Sequence, residues 1–225
     1  MDSPELIATL LLSLRIALLS TVCSLPLALG VAWILTRRRF PGRTVLDALV
    51  HAPLVLPPVV VGYGLLILLG GRSPLGQSLG LHLAFSTTGA VLAAAVMSFP
   101  LMVRAIRVGL ESIDQGLEVA ARTLGASPLD AFLTVSLPLM FPGILAGATL
   151  AFAAALGEFG ATMTFAANIP GETRTLTLAI YTALQSADGD ATARTLVLLS
   201  MGLAVAALLL AEWSQRLAQR WNVRA

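Results

Sequence analysis

Few side chains in this sequence are of the types that carry out covalent chemistry. Cys23 is the single cysteine, and the two histidines, His51 and His82, lie far apart. The sequence therefore offers neither an intrachain disulfide nor a Cys/His metal cluster. All 14 basic residues are arginine, whereas an ordinary ATP-binding loop needs a lysine to reach the phosphates. We expect no enzyme activity and no cofactor in this chain.

Glu158 is the one acid well inside an apolar stretch, where it lies between Gly157 and Gly160. An acid within a stretch that crosses a membrane is a candidate for function. The alternative is a structural carboxylate, hydrogen-bonded to backbone where the glycines loosen a helix. Pro100, close to Ser98, also interrupts an apolar run, and we group both with Glu158 as candidate functional residues.

The composition indicates the elements that must position these residues. Hydrophobic residues make up 57% of the chain and charged residues 12%, whereas a soluble domain is about 25% charged. Lipid must therefore cover much of the surface. Runs without Asp, Glu, Lys or Arg that approach or exceed the ~17–25 residues needed to cross a bilayer are 16–36, 48–71, 73–103, 131–157 and 195–211.

These runs predict an all-α, polytopic membrane protein with one transmembrane domain, 1–225. We expect five spans at about 12–36, 46–70, 86–108, 139–163 and 193–213. The stretch 73–78 reads as a loop, with the following helix starting near Phe85 or Ser86. Two shorter apolar runs, 159–171 and 175–187, fit re-entrant or interfacial segments. Because residues 1–5 are acidic rather than basic, we expect the first span to be retained rather than cleaved as a signal peptide.

The arginines predict the orientation in the membrane. With the N-terminus outside and the C-terminus inside, ten arginines fall in inner segments and three in outer ones, as the positive-inside rule requires. Arg104 and Arg107 then lie at the inner mouth, on one helix face. They could anchor lipid headgroups or contact an anion in transit. The charges are few and lie at membrane edges, so we expect no nucleic-acid binding.

The longest inner loop, about 109–138, predicts a helix, a turn and a second helix. Ser112 with Gln115 could form a capping box for the first helix. Gly125 is placed to end it in the left-handed conformation. Ser127 then caps the second helix, which has Pro128 at its first position and Asp130 at its third.

This inner loop resembles the cytoplasmic E-A-A loop of ABC importer permeases. That pattern is Glu-Ala-Ala, three residues, Gly, nine residues, Ile, one residue and Leu-Pro. The matching positions here are Ala120, Ala121, Gly125, Leu137 and Pro138, with Val135 in place of the Ile. Glu118 lies one position early, with Val119 at the family's Glu position, and one residue rotates a helical side chain by about 100°. The resemblance implies a coupling loop that docks on an ATPase.

Three further stretches resemble the molybdate and sulfate group of these permeases, and together favour molybdate: 53–63, 91–107 and 157–175. The resemblance implies a multi-pass protein of the bacterial inner membrane that moves molybdate. It further implies two permease copies, two cytoplasmic ATP-binding subunits and a periplasmic molybdate-binding protein. In such a transporter the candidate gate or pathway residues are Glu158, Gly157, Gly160, Ser98 and Pro100, with Glu158 as a hinge or gate near the outer side. For a dianionic substrate, the negative charge of Glu158 favours its structural alternative.

Alternative functions stay open at this point. A sulfate, thiosulfate or tungstate importer would share the same pattern. A secondary transporter is expected to show inverted repeats and intramembrane charge pairs, and neither is evident in the sequence. A membrane-embedded enzyme would need a nucleophile with a base, or a metal site, for which no residue set is evident.

Overall fold

The computed structural model describes residues 3–79 and 83–222, and every regular element within these ranges is a helix. In chain order the helices are α1 (Ser3–Arg37), α2 (Arg43–Val55), α3 (Pro58–Leu69), α4 (Pro74–Leu79), α5 (Thr87–Glu111), α6 (Gln115–Thr123), α7 (Pro128–Ala131), a π-helical segment (Phe132–Ser136), α8 (Leu137–Leu156), α9 (Gly160–Phe165), α10 (Leu176–Leu184) and α11 (Asp190–Asn222). The predicted all-α fold is confirmed. His82 lies outside the described residues.

Four of the described helical runs are long and apolar enough to cross a membrane: α1, α5, the continuous run Pro128–Leu156 and α11. A fifth candidate is α2 together with α3, which pass the same test as a pair but are bent by 119°. The bend lies at Pro57 and Pro58, which have no N–H to continue the helical hydrogen bonds. The expected span 46–70 is therefore not one straight helix.

The boundaries around α5 agree with the sequence in one place and differ in another. Ser86 caps α5, and its Oγ accepts a hydrogen bond from the first turn at 3.1 Å, close to the expected start. The expected loop at 73–78 is wrong, because α4 forms there with Pro74 at its first position and Ser73 accepting from Gly76 N–H. Proline is favoured at that first position. As expected, α9 and α10 are too short to span a membrane.

The centre of the bundle is a close crossing of α5 and α8. A β-carbon at Gly143 would lie 2.8 Å from the Cα of Gly109, and one at Gly147 would lie 3.0 Å from the carbonyl oxygen of Met102. Small residues four apart let two membrane helices approach backbone to backbone. Residues of α1, including Ala28 and Leu35, complete the buried cluster around this crossing.

A second close contact joins the two interrupted regions of the chain. A β-carbon at Gly62 of α3 would lie 2.6 Å from the carbonyl oxygen of Ala161 in α9, and one at Gly160 would lie 2.9 Å from Cβ of Pro58. The start of α3 therefore packs on the start of α9. This contact positions Glu158, which precedes α9.

Candidate functional site

The N-terminal cap of α6 differs from the predicted one. Asp114 is the N-cap, and its Oδ1 accepts from Gly116 N–H at 2.8 Å. The expected capping box of Ser112 with Gln115 is wrong, because Ser112 is the C-cap of α5 and its Oγ donates to the carbonyl of Gly109. The connection between the two helices is short, so Ser112 caps the end of α5 and Asp114 caps the start of α6.

The turn after α6 has the predicted form. Leu124 is the C-cap of α6, and Gly125 follows it with φ of 99°, the left-handed conformation that glycine adopts without penalty. Ser127 then caps α7 through a complete capping box with Asp130, and Pro128 occupies the first helical position. The predicted helix-turn-helix is confirmed, with the second helix continuing through the π-helical segment into the span α8.

The helix-turn-helix formed by α6 and α7 exposes apolar side chains. α6 has no buried residue, and Leu124 is 90% exposed. Ala120 is exposed and Ala121 half-buried, while Leu137 is half-buried and Pro138 exposed. The other large exposed apolar side chains here are Leu117, Val119, Leu129 and Leu133. α6 and the turn after it lie outside the candidate spans, and Leu129 and Leu133 lie at the start of the run Pro128–Leu156. Exposed apolar side chains grouped in this way form a candidate protein-binding surface, which we call the α6 surface (the exposed side chains of residues 117–133).

Glu118 faces the bundle rather than the α6 surface. Its Oε1 accepts a hydrogen bond from Ser136 Oγ and lies 3.3 Å from Arg37 Nη2. Val119, at the position where the resembled family has its Glu, is exposed. The shift of one position noted in the sequence therefore corresponds to a carboxylate that contacts α1 and the start of α8. Sequence reasoning missed Arg37 and Ser136, because neither lies near Glu118 in the chain.

Glu158 is buried at the break between α8 and α9. Its Oε1 accepts from Ala161 N–H at 2.7 Å, and its backbone carbonyl accepts from Thr177 Oγ1 at 2.8 Å. Gly157 is the C-cap of α8. Glu158 therefore satisfies an N–H at the start of α9 and joins α9 to α10.

Ser98 and Pro100 lie within α5 and take no part in the hydrogen bonds of Glu158. Both are buried, and Ser98 Oγ contacts the carbonyl of Ala95 in its own helix at 3.3 Å. Pro100 remains inside α5, which continues past it. Neither residue is hydrogen-bonded to Glu158 within the described ranges.

Under the transport function that the resemblance implies, Glu158→Gln is expected to keep substantial uptake, because the amide oxygen can still accept from Ala161 N–H. Uptake into cells that produce the variant, compared with the unmodified protein at equal membrane content, measures this. Loss of uptake with normal assembly would show that the charge itself is needed. Glu158→Ala is the matched comparison. It removes the hydrogen-bond acceptor of Ala161 N–H and should lower the free energy of unfolding by roughly 1–3 kcal/mol.

Arg104 and Arg107 differ in their surroundings. Arg107 donates to Asp47 Oδ1 at 2.8 Å and lies 3.5 Å from Glu111, whereas no ion pair of Arg104 is found in the described part of the chain. Both line a cavity of about 280 Å³ with Asp47, His51, Val108 and Glu111. Asp47 offsets the charge of Arg107, and the sequence interpretation missed it because it lies on α2.

The connection between α9 and α10 is held by side chains of the stretch 166–175. Asn168 accepts from Arg174 Nε at 2.9 Å and donates to Thr182 Oγ1 at 2.8 Å. Thr173 is fully buried and bonds both Ala167 O and Ile169 N–H. The connection is therefore held in place by side-chain hydrogen bonds, one of which reaches Thr182 in the last turn of α10.

Comparisons with known proteins agree on one family. Residues 24–222 match the family described as "Binding-protein-dependent transport system inner membrane component". The chain is 54% identical over 213 residues to the "Molybdenum transport system permease protein ModB" of Escherichia coli, covering 93% of each. It is 49% identical to the Haemophilus influenzae protein of that name, covering 95% of each. The "Sulfate transport system permease protein CysT" of Salmonella typhimurium is 38% identical over 83% of this chain and 68% of its own.

Solved structures with the same fold are parts of ABC transporters. A chain of the inward-facing MetNI methionine ABC transporter aligns with a TM-score of 0.76 at 20% identity, covering 97% of this chain and 99% of its own. A chain of a bacterial alginate ABC transporter, in complex with an alginate-bound periplasmic protein, aligns with a TM-score of 0.77 at 17% identity, covering 96% and 81%. At these identities the likeness concerns the fold.

Proposed function

The chain belongs to the family of binding-protein-dependent transport system inner membrane components, and we propose that it moves molybdate as the permease subunit of an ATP-driven importer. It is a multi-pass protein of the inner membrane and a transport subunit rather than an enzyme. The observation that carries the substrate is the 54% identity to a permease named for molybdenum, against 38% to one named for sulfate. Tungstate, a chemically similar oxyanion, remains the second candidate substrate.

The partners we propose are a second copy of this chain, two cytoplasmic ATP-binding subunits and a periplasmic molybdate-binding protein. α2 has no buried residue and α3 only Gly62. The last carbonyls of α2, at the bend, have no helical N–H to pair with, and lipid cannot satisfy them. A second copy or a wet path along a two-fold axis would supply those partners.

The α6 surface is the proposed docking site for the ATP-binding subunit. Its exposed apolar side chains lack an internal partner (Leu124 above all), and Ala120 and Ala121 leave room for close approach. Closure of the ATPases on ATP would move this surface, and the attached spans would rock between inward and outward access.

The proposed orientation places the N-terminus outside and the C-terminus inside. Ten arginines on the inner side against three on the outer support it, and it puts the α6 surface in the cytoplasm. A reporter fused after Ala225 is expected to be cytoplasmic. A periplasmic signal from that fusion would contradict the orientation and the docking proposal together.

Along the pathway, we propose that Glu158, Gly157 and Gly160 form a hinge near the outer gate, with Ser98 and Pro100 on α5 beside the path. The close packing of Gly160 on Pro58 would let a shift of α3 move α9. At the inner mouth Arg104 is the better candidate for an anion contact, because Asp47 and Glu111 already offset the charge of Arg107.

Reconstitution tests this function directly. The chain is placed in liposomes with its ATP-binding subunit and the periplasmic binding protein, and uptake of radioactive molybdate is measured with and without ATP. We expect uptake that depends on ATP and on both partners, with molybdate competing better than sulfate. Equal competition by sulfate would favour the sulfate alternative, and uptake driven by an ion gradient without the ATPase would indicate a secondary transporter.

A further inference from the structure

Glu118 is the α6 residue that attaches this helix to the membrane bundle through polar side chains. Among the described residues of α6, it is the one whose side chain hydrogen-bonds to other helices. Its Oε1 accepts a hydrogen bond from Ser136 Oγ and lies 3.3 Å from Arg37 Nη2. Thr123, by contrast, bonds back to carbonyls of α6 itself.

The three residues of this contact come from three different elements. Arg37 is the last residue of the first span, α1, and Ser136 is the last residue before α8. We call the set Arg37, Glu118 and Ser136 the inner link. It joins the α6 surface to two spans at once.

The inner link is shielded from solvent on the bundle side. The Arg37 side chain is 9% exposed and that of Glu118 is 26% exposed, while Ser136 is fully buried. Arg37 Nε is also buried and has no hydrogen-bond partner within the described ranges. Without Glu118, the shielded guanidinium of Arg37 would be left as an uncompensated charge, which is destabilising. The ion pair between Glu118 and Arg37 therefore holds α1 and α6 together.

The backbone that ends at Ser136 also supports a functional contact between α6 and α8. Phe132–Ser136 is a π-helical segment between α7 and α8, and such insertions are rare and often mark functional positions. Its last residue is the one that donates to Glu118. A displacement of α6 therefore reaches α8 at the point where its helical hydrogen bonds change register.

We propose that Glu118 is a positioning residue for transport, which transmits movement of the α6 surface to α1 and α8 through Arg37 and Ser136. This rests on the proposed function, since it presupposes an ATPase that pulls on α6. It assigns Glu118 a role within the permease, rather than a contact with the ATPase. Removing the link should let the ATPase bind and turn over without driving the spans.

The test uses the complete transporter in proteoliposomes with three readouts: co-purification of the ATPase, ATP hydrolysis and molybdate uptake. For Glu118→Gln and for Arg37→Gln we expect normal co-purification and hydrolysis, with transport per ATP lowered about tenfold, within the usual range of coupling between sites. Ser136→Ala should lower the same ratio less. Glu5→Gln is the matched control, because it makes the same change at an exposed carboxylate in the first turn of α1, at the opposite end of that helix from Arg37.

The reversed pair, Glu118→Arg with Arg37→Glu, should restore much of the lost ratio, because it rebuilds the ion pair in the opposite sense. A damaged fold alone would not be rescued this way. Loss of co-purification in Glu118→Gln, or an unchanged transport-to-hydrolysis ratio in both single variants, would overturn the proposal. If the unmodified complex shows no ATP-dependent uptake, the proposed function fails instead, independently of any variant.

Discussion

Replacing Gly143 by leucine is expected to destabilise the isolated chain by roughly 3 kcal/mol, the upper part of the usual range for overpacking. A β-carbon there would already lie 2.8 Å from Cα of Gly109 and 3.4 Å from the carbonyl oxygen of Ala105. Both obstacles are backbone, so α5 and α8 must separate. For a chain of this size the midpoint of thermal unfolding in detergent should fall by roughly 6–12 °C.

The control is Gly30→Leu in α1. A β-carbon at Gly30 meets nothing within 4 Å, so leucine there should leave the unfolding midpoint close to that of the unmodified chain. The comparison keeps the residue change and the helical setting the same and alters only what the new side chain meets. An equal melting temperature for both variants would show that the α5–α8 crossing is looser than the structure places it.

Much of the fold could be predicted because the bilayer sets the length of an apolar run. The continuous spans follow from runs free of charge, and the turn at Gly125 and the cap at Ser127 follow from local backbone rules. The α2–α3 bend did not follow in the same way. The sequence predicted one span at 46–70, whereas the chain bends by 119° at Pro57 and Pro58. Local rules do not give that angle, because α3 packs on α9 through contacts at Gly62 and Gly160, which are distant in the chain.

The candidate site was predictable only in part, because its contacts join residues that are distant in the chain. Ala120 and Gly125 are recognisable because they match the spacing of the resembled importer loop. The partners of Glu118 are 81 and 18 residues away, in Arg37 and Ser136, and nothing local to Glu118 signals either of them. Asp47 was missed as the partner of Arg107 because the two lie on different helices.

Gly125→Asp and Ala120→Glu are expected to leave the permease inserted but separated from its ATPase. Ala120 is exposed and a β-carbon at Gly125 meets nothing within 4 Å, so neither new side chain meets a steric obstacle in the isolated chain, although aspartate at residue 125 carries the backbone strain of a φ of 99°. In the proposed complex each carboxylate would be buried without a partner, which costs about 3–5 kcal/mol. Affinity for the ATPase should fall at least about 100-fold, and molybdate uptake should fall with it. Co-purification and uptake measure the two effects.

Two controls separate the docking charge from other consequences of these changes. Gly125→Ala carries the strain of a side chain at φ of 99°, roughly 1–2 kcal/mol, without adding charge, and should retain most of the co-purification. Gln77→Glu adds an acid to an exposed position of α4, on the opposite side in the proposed orientation, and should leave both readouts near normal. If Gly125→Asp and Ala120→Glu both retain the ATPase and transport normally, the α6 surface is not where the ATPase binds. If Gly125→Ala fails as badly as Gly125→Asp, the turn geometry rather than the buried charge determines docking.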